Sequence, residues 1–267
     1  MTATNPAEKI DSRIAWAAHV LKTPTIGRVW EPLATQARDQ QWSHEEYLLA
    51  VLERQLADRE AAGALMRTRT AHFPAIKTLE DFDTTTLPSL RKDVLAYLAT
   101  GAFAAKADNV ILLGPPGVGK THLAIGLGIK ACQAGHSVIF DTAANWVTRL
   151  ADAHAINQLD LEIKKIRRYR VVIIDEIGYL PFDADAANLF FQLVASRYET
   201  GSIILTSNLP FARWGDTFSD DIIAAAMIDR LVHHAEVLTL DGDSYRTRQR
   251  QELLAKQNTE GSIFNRR

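Results

Sequence analysis

The sequence predicts an α/β fold built on a five-stranded parallel sheet and preceded by a small all-helical N-terminal domain, on three observations. From about residue 89, short apolar runs rich in β-formers alternate with helical stretches. Residues 1–72 instead place their apolar side chains three and four apart. Between them, 73–88 carries two prolines and the turn-forming Asp81-Phe82-Asp83-Thr84, and reads as a linker. The expected domains are therefore 1–72, the linker, and 89–267.

In the N-terminal part, Ile10, Ile14, Ala17 and Leu21 define one helical stripe, and Ile26, Val29, Trp30 and Leu33 a second. A third helix starts at a capping box, Ser43 with Glu46, and carries Leu49, Leu52 and Leu56 as an apolar stripe towards about Met66. The five candidate strands are Val110–Leu113, Val138–Asp141, Val171–Asp175, Ile203–Thr206 and Val237–Leu240. Several are apolar almost throughout, as strands covered on both faces by helices must be. Helices fill the gaps: one from Thr121 towards Gln133 ending at Gly135, another from Ala186 to Tyr198 ending at Gly201. Each glycine stands where a left-handed cap is wanted.

Composition excludes several function classes. No stretch approaches the roughly eighteen consecutive apolar residues of a membrane helix, so no membrane span is expected. The first ten residues lack a secretory pattern, which places the chain in the cytoplasm. The single cysteine, Cys132, rules out an internal disulfide or a cysteine cluster. A net charge of -2 gives no global footprint for nucleic acid, so any DNA binding has to come from local patches. The densest is Lys164, Lys165, Arg167, Arg168 and Arg170; a second runs through Arg246, Arg248, Arg250, Arg266 and Arg267. A solvated face explains such runs equally well.

The strongest chemical signal is Gly114-Pro115-Pro116-Gly117-Val118-Gly119-Lys120-Thr121, a complete phosphate-binding loop between an apolar strand and a helix. Glycines let the backbone turn its N–H groups towards phosphate oxygens, and the helix N-terminus adds its dipole. Lys120 supplies a charge between the β- and γ-phosphates of ATP, and the Thr121 hydroxyl ligates Mg²⁺. The next helix residue, His122, is counted with the nucleotide-binding set. Val171-Val172-Ile173-Ile174-Asp175-Glu176 puts a carboxylate pair at the end of a buried strand. Asp175 is placed to hold Mg²⁺, and Glu176 to orient the attacking water, as a hydrolase needs. A third strand runs into Thr206-Ser207-Asn208, where Asn208 would stand between the γ-phosphate and the water.

With Ile228-Asp229-Arg230-Leu231 downstream, this constellation resembles the AAA+ ATPases, closest to the branch that holds DnaC-type helicase loaders and IstB-type transposition helpers. Two further stretches carry the likeness to the IstB type, Phe73-Pro74-Ala75-Ile76-Lys77-Thr78-Leu79-Glu80-Asp81-Phe82-Asp83 and Gly178-Tyr179-Leu180-Pro181 after the acid pair. Ser244-Tyr245-Arg246 resembles the closing motif that the type shares with the loaders. The resemblance implies a homo-oligomer in which Arg230 is an arginine finger reaching a neighbour's γ-phosphate; a salt bridge to Asp229 or Asp221 is the alternative. Arg246 would be a second arginine near nucleotide, but 241–267 is too short for a full C-terminal lid domain, so an interface or DNA role competes.

The resemblance also implies a DNA-lining helix after the second strand. Ala143–His154, with Arg149, occupies that slot, and with Lys164, Lys165, Arg167 and Arg168 makes up the candidate DNA contacts. Trp146, spaced helically with Leu150, reads as core or as a base-stacking platform. The implied function is an ATP-dependent helper that assembles on double-stranded DNA and recruits a cognate transposase. A helicase loader, a P-loop kinase and a non-hydrolysing ATP switch are its competitors.

Overall fold

The computed structural model describes residues 6–87, 89–179 and 181–242. It divides into two compact units, 1–65 and 66–267.

The first unit holds helices α1 (Pro6–Val20) and α2 (Pro24–Asp39) and most of α3 (His44–Thr70), which continues one turn beyond its expected end near Met66. The Ser43–Glu46 capping box forms in both directions, Ser43 N–H to Glu46 at 2.7 Å and Glu46 N–H to Ser43 Oγ at 3.2 Å. The N-terminus of α2 is satisfied from α3: Gln55 Oε1 accepts from the N–H groups of Thr25 and Ile26, at 3.1 and 3.4 Å. This unit has little core. Val51 and Gln55 are the buried residues of α3, whereas the predicted stripe Leu49, Leu52 and Leu56 faces solvent.

In the second unit the strands are β1 (Asn109–Leu113), β2 (Val138–Thr142), β3 (Val171–Ile177), β4 (Ser202–Ser207) and β5 (Ala235–Thr239). All pairings are parallel, in the order β2-β3-β4-β1-β5. Strand alternation sorts the apolar side chains into two layers. Val110 and Leu112 join one core with helices α4 (Lys92–Ala99), α5 (Ala102–Lys106) and α6 (Lys120–Gln133). Ile111 and Leu113 join the other, with α7 (Ala143–Ala155), α8 (Leu159–Ile166), α9 (Ala184–Arg197), α10 (Trp214–Phe218) and α11 (Asp221–Val232). Trp146 belongs to this second core: it is fully buried and donates its indole N–H to Ile173 O at 3.0 Å, so base stacking is excluded. Cys132 is a buried apolar residue of α6, as expected. Among the described residues no helix is long and apolar enough to cross a membrane.

Two local expectations change. Gly135 takes the predicted left-handed conformation after α6, at φ 93°, but after α9 that conformation falls on Glu199, at φ 55°, and not on Gly201. Gly201 is small for another reason: a Cβ there would collide with the guanidinium of Arg197. That buried arginine donates to Tyr169 O and Arg170 O, both at 2.8 Å. Burial, with the charges of Arg170 and Arg167, pushes its pKa down to about 10. Arg170 likewise turns inward onto Ala104 O and Ala105 O, at 2.5 and 2.7 Å, which removes it from the expected basic patch.

The presumed linker is layered onto α6. A Cβ on Gly126 would come within 2.6 Å of Leu79, one on Gly128 within 2.9 Å of Phe73, and one on Gly119 within 2.7 Å of Phe82. The α6 glycines thus let residues 73–82 lie against the helix that begins at the phosphate loop. The basic run 246–267 and any lid lie outside the described residues.

Candidate functional site

The carboxyl ends of β1, β3 and β4 meet at one edge of the sheet, with β4 inserted between the other two. This order puts the tip of β4 between the phosphate loop and the acid pair. In the loop, Gly117 and Gly119 have φ of 88° and 97°, values that a side chain strains to adopt. Gly119 is the N-cap of α6, and Lys120 is its first residue. The Lys120 ammonium is held on the loop by Gly114 O and Pro115 O, at 2.7 and 2.8 Å.

At the floor of the site three side chains converge. The Thr121 hydroxyl lies 3.0 Å from both carboxylate oxygens of Asp175. Thr206 Oγ1 donates to Asp175 Oδ1 at 2.6 Å and accepts the N–H of Glu176 at 2.9 Å. The ladder between β3 and β4 slips here: Ile174 pairs with Leu205 and Ile177 with Ser207, so Asp175 and Glu176 together face Thr206. The resulting β-bulge drives Glu176 to φ 66° and turns its side chain out to solvent while Asp175 stays buried. Two adjacent carboxylates thereby acquire different surroundings. A buried carboxylate paired with a threonine hydroxyl is a hard-oxygen donor set, which fits Mg²⁺.

These groups open on a cleft of about 550 Å³ lined by Pro116 to His122, Glu176, Tyr179, Thr206 and Asn208. Another wall is the segment 73–83 laid on α6, a strap that contributes Ile76, Lys77, Asp81, Phe82 and Asp83. His122 Nε2–H donates to Thr78 O at 2.7 Å, and its ring stands edge-on to Phe82 at 5.2 Å. The histidine thus supports the strap as well as lining the cleft. Gly114 and Pro115 are set behind the lining residues and contribute their carbonyls to Lys120.

The remaining predicted residues lie apart from this edge. Arg230 is in the last turn of α11, which leads into the start of β5 beside Asn109, at the opposite edge of the sheet. It packs over the Phe191 ring at 4.7 Å and donates to Ala226 O at 3.1 Å. Among the described residues no carboxylate pairs with it, so the alternative bridges to Asp229 and Asp221 do not form. The DNA candidates split. Arg149 and Lys165 share the carboxylate of Glu162, at 2.5 and 3.0 Å. Lys164, Arg167 and Arg168 are exposed. Arg246 lies outside the described residues.

Thr206 and the strap residues were not recognised as site components from sequence. Thr206 stands inside the motif that pointed to Asn208, and the only signal for it is its register opposite a strand ending in two acids. Phe82 and Lys77 lie in a stretch whose prolines and polar turn mark irregular backbone but not where that backbone packs.

Comparison with known proteins gives the family and the fold. The family model described as IstB-like ATP binding protein matches residues 17–253. The putative ATP-binding protein of insertion sequence IS21 from Pseudomonas aeruginosa is 44% identical over 231 residues, covering 86% of this chain and 87% of its own. That of insertion sequence IS5376 from Geobacillus stearothermophilus is 37% identical over 238 residues, covering 89% and 95%. Among solved structures, the AMPPCP-bound DnaA from Aquifex aeolicus superposes with a TM-score of 0.53 at 19% identity, over 69% of this chain and 56% of that one. The DnaC helicase loader gives 0.51 at 17% identity, over 66% and 99%. At such identities the structural likeness is one of fold.

Proposed function

The chain belongs to the IstB-like ATP binding protein family and is a P-loop ATPase of the AAA+ class, and on that premise we propose that it is an ATP-driven transposition helper that assembles on double-stranded DNA and engages its transposase. The observation that carries the catalytic part is the Thr121–Asp175–Thr206–Glu176 hydrogen-bond chain at the floor of the cleft. Thr121 and Asp175 would hold Mg²⁺, which would supply charge neutralisation for the phosphates of ATP. Lys120 adds its charge between the same phosphates. Glu176, exposed beside them, orients the attacking water, and Asn208 stands at the strand tip where it can bond that water or the γ-phosphate.

The position of Arg230 supports assembly. It lies at the opposite edge of the sheet from its own phosphate loop, and as an arginine finger it would serve a nucleotide held by a neighbouring subunit. DNA engagement is assigned to the exposed Lys164, Arg167 and Arg168, together with Arg149 and Lys165, which are ion-paired to Glu162. Partner binding is assigned to the N-terminal helices, whose leucine stripe is uncovered. Arg246 is assigned to an interface or to DNA. A helicase loader would share this fold, but the insertion-sequence relatives favour transposition.

The test is ATP turnover with and without duplex DNA, together with sedimentation on DNA at low and moderate salt. Hydrolysis stimulated by DNA, and an oligomer that forms on DNA with a slowly hydrolysed ATP analogue and weakens steeply with salt, are expected. Salt-insensitive binding by a monomer, indifferent to nucleotide, would overturn the assembly reading.

A further inference from the structure

Away from the nucleotide cleft, the opposite edge of the sheet brings together another set of ligating side chains. Glu199 lies in the turn between α9 and β4, and His233 and His234 lie in the turn between α11 and β5. Each offers one donor atom, and the three atoms lie within 4.8 Å of one another. His234 Nε2 is 3.9 Å from Glu199 Oε1. His233 Nδ1 is engaged by the Tyr198 hydroxyl at 2.9 Å, which leaves its Nε2 as the available ligand.

We propose that Glu199, His233 and His234 form a divalent transition-metal site, of the Zn²⁺ class. Two imidazoles and one carboxylate are a zinc ligand set with a fourth position open to water. Imidazole nitrogens select against Mg²⁺, which separates this site from the all-oxygen pair at Asp175. The Tyr198 hydroxyl has the outer-sphere role usual for such sites: bonded to one ring nitrogen, it fixes the tautomer and orientation of the ligand. The position suits a cation on a second count. His233 caps the C-terminus of α11, where the helix dipole is negative. The ligands are exposed on two turns, so a metal closes them with small side-chain movements and ties the end of α9 to the end of α11. Arg230 lies one turn before His233 on that helix. Stiffening of the arginine finger rests on the function proposed above; the metal site does not.

The experiment is calorimetric titration of untagged full-length protein with ZnCl₂ in excess MgCl₂, paired with melting curves. Wild type should take up one equivalent and melt higher when loaded, by mass action. His234→Ala and Glu199→Gln should lose this uptake, and Tyr198→Phe should weaken it on the order of 10- to 100-fold. The metal-free melting temperatures should match wild type, because none of the removed groups belongs to the core. Should His234→Ala perturb folding, Tyr198→Phe, which keeps its ring, decides alone. Equal Zn²⁺ uptake by wild type and the variants, or no uptake by wild type, overturns the site whether or not the ATPase reading stands.

Discussion

Both edges of the sheet bury polar side chains, yet they use them in opposite ways. At the carboxyl edge, Thr121, Asp175 and Thr206 bond to one another and to the backbone of Glu176, and the cluster opens on a cleft. At the amino edge, Asn109, Arg170 and the terminal nitrogens of Arg197 donate to backbone carbonyls such as Leu231 O, Ala104 O and Tyr169 O. Hydroxyl and carboxylate groups that bond one another leave room for a ligand to compete, whereas side chains bonded to the carbonyls of neighbouring elements close the structure; Lys120 is the exception at the carboxyl edge, its carbonyl partners being those of its own phosphate loop. Polar burial is therefore a functional sign at one edge and an architectural one at the other.

The largest expected effect tests whether the two edges cooperate between subunits. Arg230→Ala should bind ATP but lose about 10³- to 10⁵-fold in turnover, as expected for an arginine finger supplied in trans. Glu176→Gln should also bind and stall, since Lys120, Thr121 and Asp175 still hold the nucleotide. A mixture of the two inactive proteins restores one class of interface, in which the Arg230→Ala subunit keeps its Glu176 and receives a neighbour's Arg230. Hydrolysis should reappear in the mixture. No recovery at any ratio, with both variants still assembling on DNA, would break the interface assignment.

Next in size is Thr206, the hinge of the carboxyl-edge network. Thr206→Val keeps the shape but removes the donor to Asp175 and the acceptor for Glu176 N–H. A misplaced water-orienting group costs about 100-fold in turnover, with nucleotide affinity largely kept. Thr206→Ser should restore it. If Glu176→Gln stalls while Thr206→Val turns over normally, the bulge holds itself and Thr206 is not its positioning residue.

Arg197 gives the opposite profile. Arg197→Leu removes the donor to Tyr169 O and should cost roughly 1–3 kcal/mol of stability, read as a lower urea midpoint, while the folded fraction hydrolyses ATP normally. A catalytic defect in that fraction would blur the distinction between the edges.

This distinction marks what the sequence could and could not reveal. Strands such as Val171–Ile174 and the phosphate loop are legible because their signals are local: apolar runs, and glycines at fixed spacing. The sheet order is not local, so Thr206 opposite the acid pair was invisible until register placed it there. Arg170 misleads for the same reason, since a basic residue near other basic residues reads as surface until the fold supplies carbonyls around it. The leucines of α3 mislead the other way: their spacing is helical, but spacing alone does not say that another element covers the stripe.

The smallest effect concerns two of the DNA candidates. Burial works to raise the pKa of Glu162, but hydrogen bonds from Lys165 and Arg149 outweigh it and hold the carboxyl below its ordinary value. A depressed carboxylate contributes stability above the unfolded-state pKa and loses it as pH falls through the folded one, so this contribution should vanish only in acid. At neutral pH Glu162 keeps two cations occupied. Glu162→Gln removes that competition and should tighten duplex binding at low salt. If Arg149 and Lys165 then both reach phosphates, the slope of log K against log salt should steepen by about 0.9 for each. Titrations at several salt concentrations read this directly. An unchanged slope would place these two residues in the α7–α8 packing alone and leave DNA contact to Lys164, Arg167 and Arg168.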